Sequence, residues 1–428
     1  LVYVVVTVAL YFVGQYAGDD SNSSVVGLFM FSVLAMFTLG YWAGLHRTVG
    51  QPMAQLDDVK TSTTGSTANR VVVVCSLWFL TYSLASLQQV GVTDPLSLLR
   101  AIADPRGSYY AKFEALGTEQ GSTIYRVLNL MGIFYFLMVP YLLLYWRWLR
   151  RSVRFLAIAS LATYLLFYLS IGTQKGVADL LIMFVACALP LRVLRRGRSA
   201  TSDGSLLGRR AWLALAGVGL VGVVVIATSL GLRTDDTSSA LQPPQARALY
   251  ESISPVFGSV LGRGLVVLSS YLSQGYHGLA LALQLPFVPA GMGAYKALSS
   301  YLPQYFGLRD PYELSYPVRV EDAFGWSATG KWSSVYPWYA SDVSFAGVVL
   351  LALLFGFFLA RIWRRLMRAC DGLTLSVFVT CVIVVLYSPA NNQLFNDRLT
   401  AIGVVTLLGL YLLRELSVRR SGLGFATP

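Results

Sequence analysis

Two parts of this chain hold residues able to do chemistry. Between Gly231 and Val335 stand Arg233, Arg247, Arg263, Lys296, Arg309, Arg319 and Lys331. Guanidinium groups meet phosphate oxygens two at a time and stay charged at any physiological pH, so a set of them points to an anion. Upstream, the turn Gly172-Thr173-Gln174-Lys175-Gly176 separates two apolar runs, with Asp179 one helical turn beyond Lys175. Lys175 either snorkels to a membrane interface with Asp179 as its ion-pair partner or binds a ligand, and the residues weigh the two about equally. Two groups can exchange protons on the same side: His277, and Asp342 shortly after Pro337. Taken singly, each has a plainer role: an arginine is a solvated charge, a lone histidine satisfies a hydrogen bond, and an aspartate caps a helix. The set carries more weight than any member.

What must position these groups is a membrane bundle. Hydrophobic residues make up 55% of the chain and charged residues 13%, with a mean hydropathy of +0.60. A soluble domain carries roughly twice that charge fraction. Several runs approach or exceed the roughly 20 apolar residues that cross hydrocarbon. The ten-residue alternation of an outer-membrane barrel is absent. The expected fold is an all-α polytopic membrane protein of about ten transmembrane helices, with a large extracytoplasmic loop containing re-entrant or interfacial helices.

Length and charge place crossings near 1–17, 25–45, 71–91, 127–148, 153–171, 176–194, 211–231, 336–360, 373–389 and 399–413. Arginines cluster at 147–154, 192–210, 361–368 and 414–420. Putting those clusters in the cytoplasm places both termini there as well, following the positive-inside bias. Residues 1–231 then form the first seven helices, 232–335 the large outer loop, and 336–428 the last three helices and a cytoplasmic tail. The 46–70 and 197–208 stretches become cytoplasmic loops. Segment 264–290 is apolar enough to enter the bilayer, yet the charge pattern needs an even number of crossings between Leu230 and Val335. It is expected to dip in and return, broken around Gln274–Gly278 and stopped at Pro286 and Pro289. Irregular backbone at membrane depth lines a cavity or is buried in protein.

The formal charge of +12 sits mostly in clusters at helix ends, where it orients helices and touches acidic lipid, so nucleic acid is not an expected partner. The four cysteines form no CxxC pair, which gives no sign of a disulfide or zinc site. No Walker A loop, GxSxG, HExxH or paired-Asp metal motif is present, so no cofactor or metal is expected. The chain opens on Leu1; its natural start is expected to be trimmed, and no cleavable signal can be read.

At SSVYPWYASDVSFAGVVLLALLFGFFLARIW the chain resembles the bacterial oligosaccharide repeat-unit polymerases of the Wzy type and the related O-antigen ligases. These carry Asn-x-Tyr, a short gap and Asp-Phe-Gly-x-x-Gly near the outer mouth of a late helix. Tyr336, Asp342 and Gly347 fit at that spacing, with Ser344 in place of the first Gly. YLSQGYHGLALAL resembles the family's region before its long outer loop, and GTQKG its basic turn between middle helices. Ser333 and Ser334 stand where the ligases have the His and Asn of their His-Asn-x-Tyr, so the base falls to Asp342 or His277.

The resemblance implies a fold of the GT-C glycosyltransferase class and glycosyl transfer on the outer face of a bacterial plasma membrane. The donor is a glycan on polyprenyl diphosphate and the acceptor a lipid-linked repeat unit. Lys175, Arg233, Arg247, Arg263, Arg319 and Tyr336 are the expected substrate and diphosphate contacts. Membrane lipids, a chain-length regulator and a flippase are the expected partners. A ligase moving finished glycan to another acceptor, and a lipid-linked oligosaccharide flippase, remain open alternatives.

Overall fold

A computed structural model describes residues 1–16, 22–46, 62–117, 123–196, 209–234, 241, 243–331 and 333–420. Among the described residues there is no strand. The helices run, in chain order, α1 Val2–Val13, α2 Ser23–His46, α3 Ser62–Gln89, α4 Pro95–Ala103, α5 Pro105–Gly117 and α6 Thr123–Leu130. Then come α7 Ile133–Tyr145, α8 Arg151–Ser170, α9 Lys175–Arg196, α10 Arg209–Arg233, α11 Pro244–Phe257 and α12 Ser259–Ala282. The last six are α13 Lys296–Ser299, α14 Tyr301–Phe306, α15 Tyr316–Phe324, α16 Val335–Arg368, α17 Gly372–Tyr387 and α18 Arg398–Arg420. The 197–208 stretch and most of the 46–70 stretch lie outside the described residues.

Among the described residues six helices are long and apolar enough to cross a membrane: Ser23–His46, Gly65–Gln89, Arg151–Ser170, Lys175–Leu194, Val335–Arg368 and Arg398–Ser417. The pair Ile124–Leu130 and Ile133–Trp148, bent by 57°, makes a seventh if it counts as one span. Val2–Val13 and Gly372–Tyr387 are apolar but shorter, and the described part of α10, Gly219–Arg233, is apolar as well. Helices lie at all ten expected positions, and two of them, α1 and α17, are short for a crossing. This is a multi-pass membrane protein by length and composition.

One end of the bundle gathers the arginines of 147–154 and 361–368 together with Arg414. The Arg150 backbone N–H donates to Asn69 at 3.0 Å, Arg414 bonds Asp371 at 2.5 Å and Arg365 pairs with Glu415. The long segment 283–334 sits at the opposite, loop end.

α2 and α16 hold the bundle together. Phe29 meets Tyr336 and Phe345 edge-on, at 5.8 and 5.4 Å, while Gly44 abuts Phe357 and Ala360. The two helices are thus parallel, the direction that the arginine clusters require of 25–45 and 336–360. A Cβ on Gly40 would overlap the Leu353 carbonyl, and one on Gly356 the Phe37 carbonyl. Gly40-x-x-x-Gly44 against Gly356-x-x-x-Ala360 lets the backbones touch, which is how helices pack where water supplies no drive.

The break expected around Gln274–Gly278 is absent: α12 is one continuous helix from Ser259 to Ala282. Its glycines are contact points. Gly264 abuts Ala227, and Gly275 lies against the Pro389 carbonyl. α12 runs antiparallel to α10, since Gly231 meets Val260 while Ala227 meets Gly264, and it crosses α1 where Tyr276 bonds Thr7 at 3.0 Å. The stop before Pro286 is where it was expected, with the helix ending at Ala282.

The true break falls in α16. Ser344 has φ 66° and ψ 168°, a region that strongly favours glycine. Its Oγ accepts the Gly347 N–H at 3.4 Å, as an N-cap does for a helix that starts afresh. α16 is therefore a short upper piece, 335–343, and a long lower piece, 345–368.

Candidate functional site

Between α1, α2, α16, α17 and α18 lies a cavity of about 480 Å³. Its walls are almost wholly apolar, with Val33, Phe37, Leu351, Phe358, Val384 and Leu408 among them. Tyr336 lines it as well, as do Tyr339 and Val335 from the upper piece of α16. Such a space suits a hydrocarbon chain, because a polar ligand would find few hydrogen-bond partners there. α12 contributes none of the lining and packs instead on α10, α1 and α15.

At the loop end the cavity is lined by Tyr295 and Phe395, with their rings 4.8 Å apart. Tyr295 belongs to a strap, residues 290–297, tied down on both sides. The Asp342 carboxylate accepts the Gly293 N–H at 2.8 Å and the Ala294 N–H at 3.1 Å, one on each oxygen. The Ala290 N–H donates to the Ser341 carbonyl at 2.9 Å. From the α17–α18 connection, Asn392 Nδ2 donates to the Ala294 carbonyl at 2.6 Å, and the Phe395 carbonyl accepts the Ala297 N–H at 2.9 Å. Asp342 thus holds a distant backbone segment and does not cap its own helix. Each of its oxygens keeps a lone pair for another donor.

Lys296 follows Tyr295 on the strap. Its ammonium lies 4.4 Å from the centroid of the Tyr312 ring and 3.4 Å from the Tyr312 hydroxyl. Burial pushes Lys296 below its ordinary value, opposed by the charges of Asp310 and Glu321. Burial and the same two carboxylates push the Tyr312 phenol up to about 12.

A second polar cluster surrounds Asp179, whose side chain is buried. Lys175 donates to one carboxylate oxygen at 2.8 Å and Tyr135 to the same oxygen at 2.7 Å. Tyr387, at the loop end of α17, donates to the other at 2.5 Å. This carboxylate is fully partnered, and the Lys175 side chain keeps 28% of its surface exposed. Arg233 braces the turn before Lys175. It donates to the Gly172 carbonyl at 2.6 Å, lies over the Tyr109 ring at 4.3 Å and is hydrogen-bonded to Tyr271 of α12. Arg233 is thus bound to the turn that leads into Lys175.

The other expected groups are spread apart. Arg247 lies on an exposed face of α11 and pairs with Glu251 at 3.2 Å. Arg263 is half-buried in the first turns of α12. Arg319 donates to the Pro286 carbonyl at 2.9 Å and lies over the Tyr316 ring at 5.2 Å. His277 is packed between Tyr16, stacked at 5.1 Å, and Trp326 at 4.5 Å. Sequence reasoning missed Tyr295, Asn392, Phe395, Tyr135 and Tyr387. The amide pair Asn391–Asn392 between an apolar helix and a crossing was the available signal, since amides at such a place need partners. Against known proteins, the chain matches no family model, no curated protein and no solved structure.

Proposed function

We propose that the chain is a glycosyltransferase that polymerises polyprenyl-diphosphate-linked oligosaccharide repeat units. The cavity of about 480 Å³ carries the reading: an apolar space among membrane helices, flanked at one end by a hydrogen-bonded strap with charged neighbours. A prenyl chain matches the walls, and a diphosphate matches the cations of the loop end. In this reading the loop end faces outside, the arginine end and both termini face the cytoplasm, and α1, α10 and α17 complete ten crossings in the manner of the GT-C class.

The chemistry follows from the groups present. The acceptor hydroxyl loses its proton to a carboxylate or imidazole within hydrogen-bond reach. Its oxygen attacks the anomeric carbon of the donor, and the bond from that carbon to the diphosphate oxygen breaks. The polyprenyl diphosphate leaves with the bonding electron pair, and fixed cations stabilise the charge it gains. Asp342 is the proposed base, oriented by the strap amides; His277, flanked by aromatic rings, is the alternative. Lys175, Arg233, Arg263 and Arg319 are the proposed cations. Arg247, exposed and paired, takes a peripheral place.

The lipid-linked glycans of cells lacking the protein test the reading. Single repeat units left on lipid are the expected result. Full-length glycan stranded on lipid would make the protein a ligase, and loss of outer-face intermediates would make it a flippase. Normal polymer would contradict all three.

A further inference from the structure

We infer that Lys296 binds the phosphate of the lipid whose chain occupies the apolar cavity. The inference rests on the proposed role of that cavity as a lipid site and adds the residue that reads the head group.

Lys296 is a half-buried ammonium without a carboxylate of its own. Among the described residues no Asp or Glu lies within ion-pair distance of it, and its close polar neighbour is the Tyr312 hydroxyl. The two acidic groups that influence it are engaged elsewhere. One Asp310 oxygen accepts from the Ser299 hydroxyl at 2.9 Å and from the Tyr312 N–H at 2.9 Å. Glu321 accepts the Ala328 N–H at 3.0 Å. A tyrosine face attracts a cation but leaves its charge uncompensated. A partly desolvated ammonium with spare donors gains by taking an anion.

Position gives that anion its class. Lys296 adjoins Tyr295, whose ring lines the cavity. The strap that carries both is fixed by Asp342 on one side and by Asn392 on the other. Tyr312, which holds the ammonium, is itself stacked on the buried Trp338 at 5.9 Å. A lipid with its chain in the cavity brings its head group to the strap. A phosphate there supplies the anion that the protein does not.

The test is equilibrium binding of a fluorescent long-chain polyprenyl phosphate, and of the matching polyprenol, to purified protein in nanodiscs. Wild type, Lys296→Met, Lys296→Arg and Val348→Trp are compared, with thermal unfolding run on each to establish folding. Wild type is expected to prefer the phosphate by roughly tenfold or more, the value of a charge-assisted contact. Lys296→Met should erase that preference and leave polyprenol affinity unchanged, while Lys296→Arg should keep it. A Lys296→Met protein that retains the preference overturns the inference. Val348→Trp, which fills the cavity, should weaken both lipids. If it does so while Lys296→Met keeps the preference, the cavity stands as the lipid site and Lys296 is dropped. If it weakens neither, the lipid reading of the cavity fails, and the inference with it. Excess inorganic phosphate separates the two sources of the anion. Little displacement supports a lipid phosphate, and loss of the preference would mark a site for free phosphate and overturn the lipid assignment.

Discussion

The Asp342 carboxylate accepts the backbone N–H of Gly293 at 2.8 Å, across 49 residues of chain. With Ala294 on the other oxygen, it fixes the strap over the cavity. Asp342→Asn replaces one acceptor oxygen by an amide donor facing a backbone N–H. A loss of about 1–2 kcal/mol of stability is expected, read as a lower midpoint of thermal unfolding in detergent. An unchanged midpoint would mean that the clamp contributes nothing.

Ser344 is the only described non-glycine residue with positive φ. Backbone of this kind costs about 1–3 kcal/mol, and glycine adopts it freely. Ser344→Gly should therefore raise the thermal midpoint, since the cap it gives up is a long contact of 3.4 Å. Ser344→Val should lower it. The opposite order would show that the break in α16 is not strained.

The contact of α2 with α16 depends on bare backbone. Gly40→Leu forces a side chain against the Leu353 carbonyl, and overpacking of this kind costs about 1–3 kcal/mol or more. The expected outcome is poor recovery of folded protein, scored by size-exclusion chromatography. A monodisperse variant at normal yield would place the helices further apart than described.

Lys175 and Asp179 should behave as a unit. Lys175→Met leaves a buried carboxylate with only two tyrosine hydroxyls, and so does more harm than the pair is worth. A single substitution is expected to cost about 1–3 kcal/mol, below the roughly 3–5 kcal/mol of breaking a fully buried pair, because Lys175 is partly exposed. The double variant Lys175→Met/Asp179→Asn should cost less than the sum of the singles. Strict additivity in unfolding experiments would show no coupling.

Much of the bundle was legible because two signals are local. Apolar run length marked helices at all ten expected crossings, and arginine clusters gave the shared direction of α2 and α16. The run count could not tell that Val2–Val13 and Gly372–Tyr387 are short, since helix ends depend on capping and packing. Segment 264–290 misled for a related reason. Its glycines read as breakers, whereas Gly264 and Gly275 serve close approach to other backbones, which only the fold reveals. The site was half legible. The Lys175–Asp179 pair follows from local spacing, and Tyr336, singled out through the resemblance, lies on the cavity wall. The hold of Asp342 on Gly293 and of Asn392 on Ala294 spans 49 and 98 residues, and nothing local encodes either.

The central claim is glycosyl transfer between polyprenyl-diphosphate-linked glycans, and reconstitution tests it most directly. Purified protein in liposomes is supplied with a polyprenyl-diphosphate-linked repeat unit and a chelator of divalent metals, and the products are resolved by length. The account predicts a ladder of longer lipid-linked glycans with release of polyprenyl diphosphate, weakened on the order of 10²-fold by Arg319→Ala. Repeat units that stay single with active, folded protein and every lipid component present would contradict it.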